Sequence, residues 1–223
     1  MYTKFDQWLN EAKTENFKTK EEIQNWLDTN GIKNYTINED LTVDVKGDVK
    51  ISRKNLTGIP VQFGVISGNF DCSYNNLTSL QGCPKEVKEY FYCNNNKLTS
   101  LQGSPIKVGG DFLCNDNNLT TLDGGPEKVG GDFFCNKNNL TSLEGSPKEV
   151  HGMSFNCSDN KLTSLQDSPE KVKGYFDCDN NDLKSLEGCP KEVKGDFFCR
   201  NNKTKFTKED VTAVSNVKGK IKV

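Results

Sequence analysis

"FDCSYNNLTSLQGCPKEV", residues 70–87, returns as "FYCNNNKLTSLQGSPIKV" at 91, "FLCNDNNLTTLDGGPEKV" at 112 and "FFCNKNNLTSLEGSPKEV" at 133. It returns again as "FNCSDNKLTSLQDSPEKV" at 155 and "FDCDNNDLKSLEGCPKEV" at 176, with a partial copy, "FFCRNNKTKFT", at 197. The first four copies run at a period of 21, and one residue inserted near His151 delays the fifth to 22. A fixed period of this size marks a solenoid, in which each repeat is one coil and is buried only by its neighbours. Composition agrees. Hydrophobic residues make up 33% of 223 and mean hydropathy is −0.71, thin for one central core but enough for stacked coils.

In F-x-C the Phe and Cys lie two apart, so on a strand both face inward and the residue between them faces out. Seven cysteines hold this place: Cys72, Cys93, Cys114, Cys135, Cys157, Cys178 and Cys199. Such regularity predicts a buried packing column, since free Cys behaves as a small hydrophobe. The odd total of nine and the absence of a secretory signal fit reduced thiols, and no second Cys or His stands close enough for a zinc site. Cys83 and Cys189, in "GCP" turns, are replaced by Ser or Gly in other copies. Three residues after each strand Cys stands an Asn: Asn75, Asn96, Asn117, Asn138, Asn160, Asn181 and Asn202. An amide both donates and accepts, so a stack of them is expected to satisfy backbone groups where the chain leaves the sheet. A Leu pair follows (Leu77 and Leu80, Leu98 and Leu101), then a Gly/Pro turn and a Val that re-enters the core. Only about ten residues link each Leu pair to the next strand, too few for a full helix, so the back of the coil is expected to hold turns or brief 3₁₀ segments.

The spacing V-x-x-x-F-x-C-x-x-N-x-L-x-x-L resembles the short bacterial or phage leucine-rich repeat, with Phe and Cys in two of the Leu places, over about residues 45–205. The resemblance implies a leucine-rich-repeat solenoid, mainly β. Val stands one residue earlier than the usual first Leu, which leaves the shape of that corner open.

The expected organisation is amphipathic helices over 1–31, a β-hairpin over 32–48, the solenoid over 49–205, and a helix and final strand over 206–223. In the degenerate first coil Val49, Ile51, Leu56 and Ile59 take the places of Phe70, Cys72, Leu77 and Leu80, while Lys54 replaces the Asn. Before it, "YTINEDLTVDV" alternates across a turn and reads as a hairpin over the open sheet edge. Tyr2, Phe5, Trp8, Leu9 and Ala12 have helical spacing, as do Ile23, Trp26 and Leu27, the latter set behind a Thr19/Glu22 capping box and before Gly31. Thr207 and Asp210 predict another capped helix, with Phe206 and Val211 as its staple, and "VKGKIKV" restores the strand with Ile221 and Val223. From Val49 to Val223 this makes one parallel sheet of about nine strands, roughly 38 Å long.

The same residues exclude several functions. The 29 basic and 31 acidic residues are interspersed with no basic stripe, which argues against nucleic acid and anionic membranes. No apolar run is long enough to span a bilayer, and a cytoplasmic location is expected. His151, the only histidine, has no orienting partner in register. Asp177, Asp179 and Asn181 start like a calcium loop, but Asp182 stands where Gly is needed and Gly188 where Glu is needed. No phosphate loop occurs. The reading is a non-enzymatic chain with no cofactor, acting as a monomer.

Function is therefore expected on the outward face of the sheet. Tyr92, Leu113 and Phe134 follow one another in its central column, with Tyr90 alongside and Asp111 and Asp132 at the edge. An apolar stripe with a polar rim points to a protein partner. The alternative is that these rings only pack on one another across strands, in a structural or scaffolding repeat protein. Finally, "MYTKFDQWLNEA" resembles the capsid-targeting peptide of internal head proteins in large contractile-tailed phages. That resemblance implies cleavage between Glu11 and Ala12, after Leu9-Asn10-Glu11, and delivery from a virion.

Overall fold

The computed structural model describes residues 17–147, 149–150 and 154–223. The first expected helix (Tyr2 to Ala12), the Glu11/Ala12 site and His151 lie outside the described residues. The rest is a solenoid of parallel strands.

The F-x-C segments build one nine-stranded sheet running from Val49–Lys50 through Phe70–Asp71, Phe91–Tyr92, Phe112–Leu113, Phe133–Phe134, Phe155–Asn156, Phe176–Asp177 and Phe197–Phe198 to Ile221–Lys222. Phe pairs with Phe in register at every step, and Val49 and Ile221 take that place at the two ends. The strand count and the degenerate end coils are as the sequence implies. Because identical residues stack, the rings form a spine: Phe70, Phe91, Phe112, Phe133, Phe155 and Phe176 follow one another with near-parallel rings and centroids 5.2–5.8 Å apart. Beside it the Cys column and both Leu columns are closed to solvent.

The back of the coil differs from the expectation of turns or 3₁₀ segments alone. The Val positions form short strands of their own: Glu86–Val87, Lys107–Val108, Lys128–Val129 and Glu149–Val150 join Phe63–Ile66 and the hairpin in a second, seven-stranded sheet. Ten residues were too few for a helix but enough for a turn and two residues of strand, and β-branched Val, stacked in register, suits that pairing. This also settles the corner left open by the early Val, since Val87 and Phe91 belong to different sheets. Among the described residues the second sheet is divided, with Lys171–Val172, Glu192–Val193 and Asn216–Val217 forming a separate three-stranded piece. The break falls at the coil that carries the inserted residue, whereas Phe133 still pairs with Phe155.

The hairpin is present, Tyr35–Ile37 antiparallel to Val43–Val45. It closes the second sheet rather than the F-x-C sheet, because Val45 is itself the Val of the first coil and pairs with Ile66. The helix Lys20–Thr29 carries the Thr19/Glu22 capping box and buries Ile23 and Leu27 at that end, with Trp26 6.4 Å from Phe63 between ring centroids. Helix Lys208–Val214 carries the Thr207/Asp210 box, and Phe206 and Val211 are buried beneath it.

Two turns per coil need left-handed backbone. The residue before each ladder Asn, from Tyr74 through Asn95, Asp116, Lys137, Asp159 and Asn180 to Asn201, has φ of 52–55°. The second turn uses Gly: Gly103 has φ of 90°, and a Cβ there would lie 2.8 Å from the Leu80 carbonyl oxygen, so glycine recurs in the motif for steric reasons.

Candidate binding face

The Asn column is a structural ladder. The Nδ2 of Asn117 donates to the carbonyls of Cys93 (3.0 Å) and Cys114 (3.1 Å), while its Oδ1 accepts from the Leu98 N–H at 3.0 Å. Asn75, Asn96, Asn138, Asn160, Asn181 and Asn202 repeat the pattern, each stitching its own coil to the one before. Asn75 reaches back into the first coil, where the N–H groups of Lys54 and Leu56 both donate to it. The cysteines are free and buried. The column thiols from Cys72 to Cys178 lean on the next strand, as Cys114 Sγ does on the Phe134 carbonyl at 3.4 Å. Burial pushes the Cys199 pKa up to about 12 and those of Cys114 and Cys157 well above the ordinary thiol range, which leaves these thiols protonated and unreactive.

A second ladder was not read from the sequence. In the column before each Phe, an Asp or Asn oxygen accepts the backbone N–H of the same column one coil on: Asp48 from Asn69 (2.9 Å), Asn69 from Tyr90 (3.1 Å), Asp111 from Asp132 (2.8 Å), Asp132 from Ser154 (2.8 Å) and Asp196 from Lys220 (2.8 Å). Asp111 and Asp132, expected at the rim of a partner site, therefore also hold the corner between the two sheets. The recurrence of Asp or Asn in this column is the signal that would have revealed the role.

The central column separates into regions. At its polar positions the side chain folds back on its own strand: Asp71 accepts from the Ser73 N–H (3.0 Å), Asn156 from Ser158 (3.0 Å) and Asp177 from Asp179 (3.0 Å). Between them Tyr92, Leu113 and Phe134 form the expected stripe, half-buried rather than fully exposed. Tyr90 is the most open member, at 39%, and stacks on Tyr92 with rings 5.9 Å apart. Phe134 leans across the strand of Asn156 to Tyr175, 6.2 Å away, and Tyr175 meets Phe198 edge-on at 6.0 Å. Tyr175 and Phe198 thus lengthen the patch beyond the residues singled out from sequence, because small Ser154 and Asn156 let rings touch over the gap.

Beside this end the Arg200 guanidinium donates to the buried Asp179 carboxylate through Nε (2.8 Å) and Nη2 (2.5 Å). Asn181 belongs to the Asn ladder. The stretch that began like a calcium loop is thus engaged otherwise, and among the described residues no His, Cys, Asp or Glu group is arranged to hold a metal. No described helix is long and apolar enough to cross a membrane.

Burial pushes the Asp177 carboxyl up to about 6; the charge of Asp179 adds to this, and its N–H and Arg200 offset it in part. A raised carboxylate pKa means that the folded state binds a proton which the unfolded chain releases between about pH 4 and 6. The penalty is present at neutral pH and is relieved as pH falls through 6 toward 4. Asp177→Asn should stabilise the protein by about 1–2 kcal/mol at neutral pH, allowing for solvent that still reaches the group. Asn156 already makes the same turn as an amide. Urea titrations across pH check this, and the gain should vanish near pH 4.

No protein-family model matches the chain, and no curated protein matches it.

Proposed function

We propose that this chain is a non-enzymatic repeat protein of leucine-rich-repeat type that binds another protein through the outward face of its F-x-C sheet. The observation that supports this is the contiguous patch of Tyr90, Tyr92, Leu113, Phe134, Tyr175 and Phe198 on a face whose other positions are polar. Inward positions suffice to hold the coils together, so large apolar side chains facing outward are not needed for the stack. Changing Leu113 and Phe134 together to Asp should abolish partner capture while the melting midpoint falls little. A loss of stability as large as that of an inward Phe would assign the patch to packing, the reading favoured by its ring-to-ring contacts.

The N-terminal resemblance supports a delivery route, in which the chain is packaged in a phage head, trimmed after Glu11 and released into the host cytoplasm. Terminal sequencing of the chain from purified particles should read Ala12 first. Particles that contain the chain from Met1, or lack it, would refute the route without touching the binding face.

A further inference from the structure

The chain as a whole is nearly balanced in charge, with 29 basic and 31 acidic residues, but the sheet face is not. Between the strands that begin at Phe70 and Phe197, its three outward columns carry Asp71, Asp111, Asp132, Asp177, Asp179 and Asp196 against one base, Arg200. The asymmetry is felt by the rings. Burial raises the pKa values of Tyr92 and Tyr175, and nearby carboxylates, Asp111 and Asp71 for the first and Asp132 and Asp177 for the second, add to the shift.

The chain itself shows what such rings accept. Phe198, in the same column as Phe134, has the Lys222 ammonium 4.8 Å and the Arg200 guanidinium 5.7 Å from its centroid, and near the other end Arg53 lies 4.0 Å over Tyr74. Among the described residues no cation lies over Tyr90, Tyr92, Phe134 or Tyr175. An electron-rich ring face beside a carboxylate is a favourable place for an Arg or Lys whose charge the carboxylate meets from the side.

Resting on the binding face just described, we infer that the partner segment is cationic, placing Arg or Lys side chains over the Tyr90/Tyr92 and Phe134/Tyr175 rings, with Asp71, Asp111, Asp132 and Asp177 as counter-charges. Its binding weakens as salt is raised, because the charges lie at a solvated surface.

The full chain, immobilised, is used to select from a ribosome-displayed library of random peptides, and enriched peptides are synthesised for binding measurements. Peptides combining Arg or Lys with an apolar residue are expected. Their affinity should fall roughly five- to tenfold in the Asp111→Asn/Asp132→Asn variant and vanish in Leu113→Asp/Phe134→Asp. The Asn variant keeps its backbone acceptors, as Asn69 does in the same column. Acidic or uncharged peptides that are lost with Leu113→Asp/Phe134→Asp but indifferent to Asp111→Asn/Asp132→Asn would overturn the cationic partner and leave the binding face standing. Peptides indifferent to both variants, or no enrichment, would overturn both.

Discussion

Replacing Phe112 by alanine is expected to cost about 3–5 kcal/mol, the usual loss when a buried ring is removed from a core that cannot close over the gap. Phe112 is fully buried, with its ring centroid 5.2 Å from Phe91 and 5.5 Å from Phe133. Register fixes those neighbours, since both are held by their own strand pairs, so collapse into the cavity is restricted. In a stack stabilised by nearest neighbours the loss should also weaken coupling between the two halves. Urea unfolding should show a lower midpoint and a shallower or two-step transition. Phe134→Ala, on the half-buried outer face of the next coil, is the control and should cost about 1 kcal/mol. Equal losses would contradict the assignment of inner and outer columns.

Asn117→Ala is expected to cost about 1–3 kcal/mol. It removes the acceptor of the buried Leu98 N–H and the donor to the Cys93 and Cys114 carbonyls, at a place where water does not substitute. Asn117→Asp should be worse at neutral pH, since a carboxylate still accepts from Leu98 but sets its charge against two carbonyls. Its stability should recover as pH falls through the raised carboxylate pKa, because the protonated acid can donate. An unchanged urea midpoint in Asn117→Ala would show that the ladder contributes nothing.

Most of the fold was legible because a repeat states its constraints several times. Phe70 alone is one aromatic residue, but Phe in the same place through Phe197 can only be a column, and the Cys, Asn and Leu columns follow by the same argument. The capping boxes at Thr19 and Thr207 were legible because they satisfy backbone donors within a few residues. Local chemistry of this kind is written in the order of the chain.

What the sequence left undecided depends on contacts about 21 residues apart. A lone Val87 bounded by turns does not say whether it is a turn residue or a strand; it becomes a strand because Ile66 and Val108 lie on either side of it. Asp111 reads as a rim charge until the Asp132 N–H is found 2.8 Å from its carboxylate. Tyr175 and Phe198 joined the aromatic patch only when Phe134 was seen to lean across a strand with small outward side chains. The amino-acid sequence by itself determined the period, the inward columns and the capped ends, because these rest on identity and spacing along the chain. The tertiary structure decided the second sheet, the aspartate ladder and the extent of the outer face. Those depend on which groups stacking brings within hydrogen-bonding or ring contact, a distance that spacing along the chain does not set.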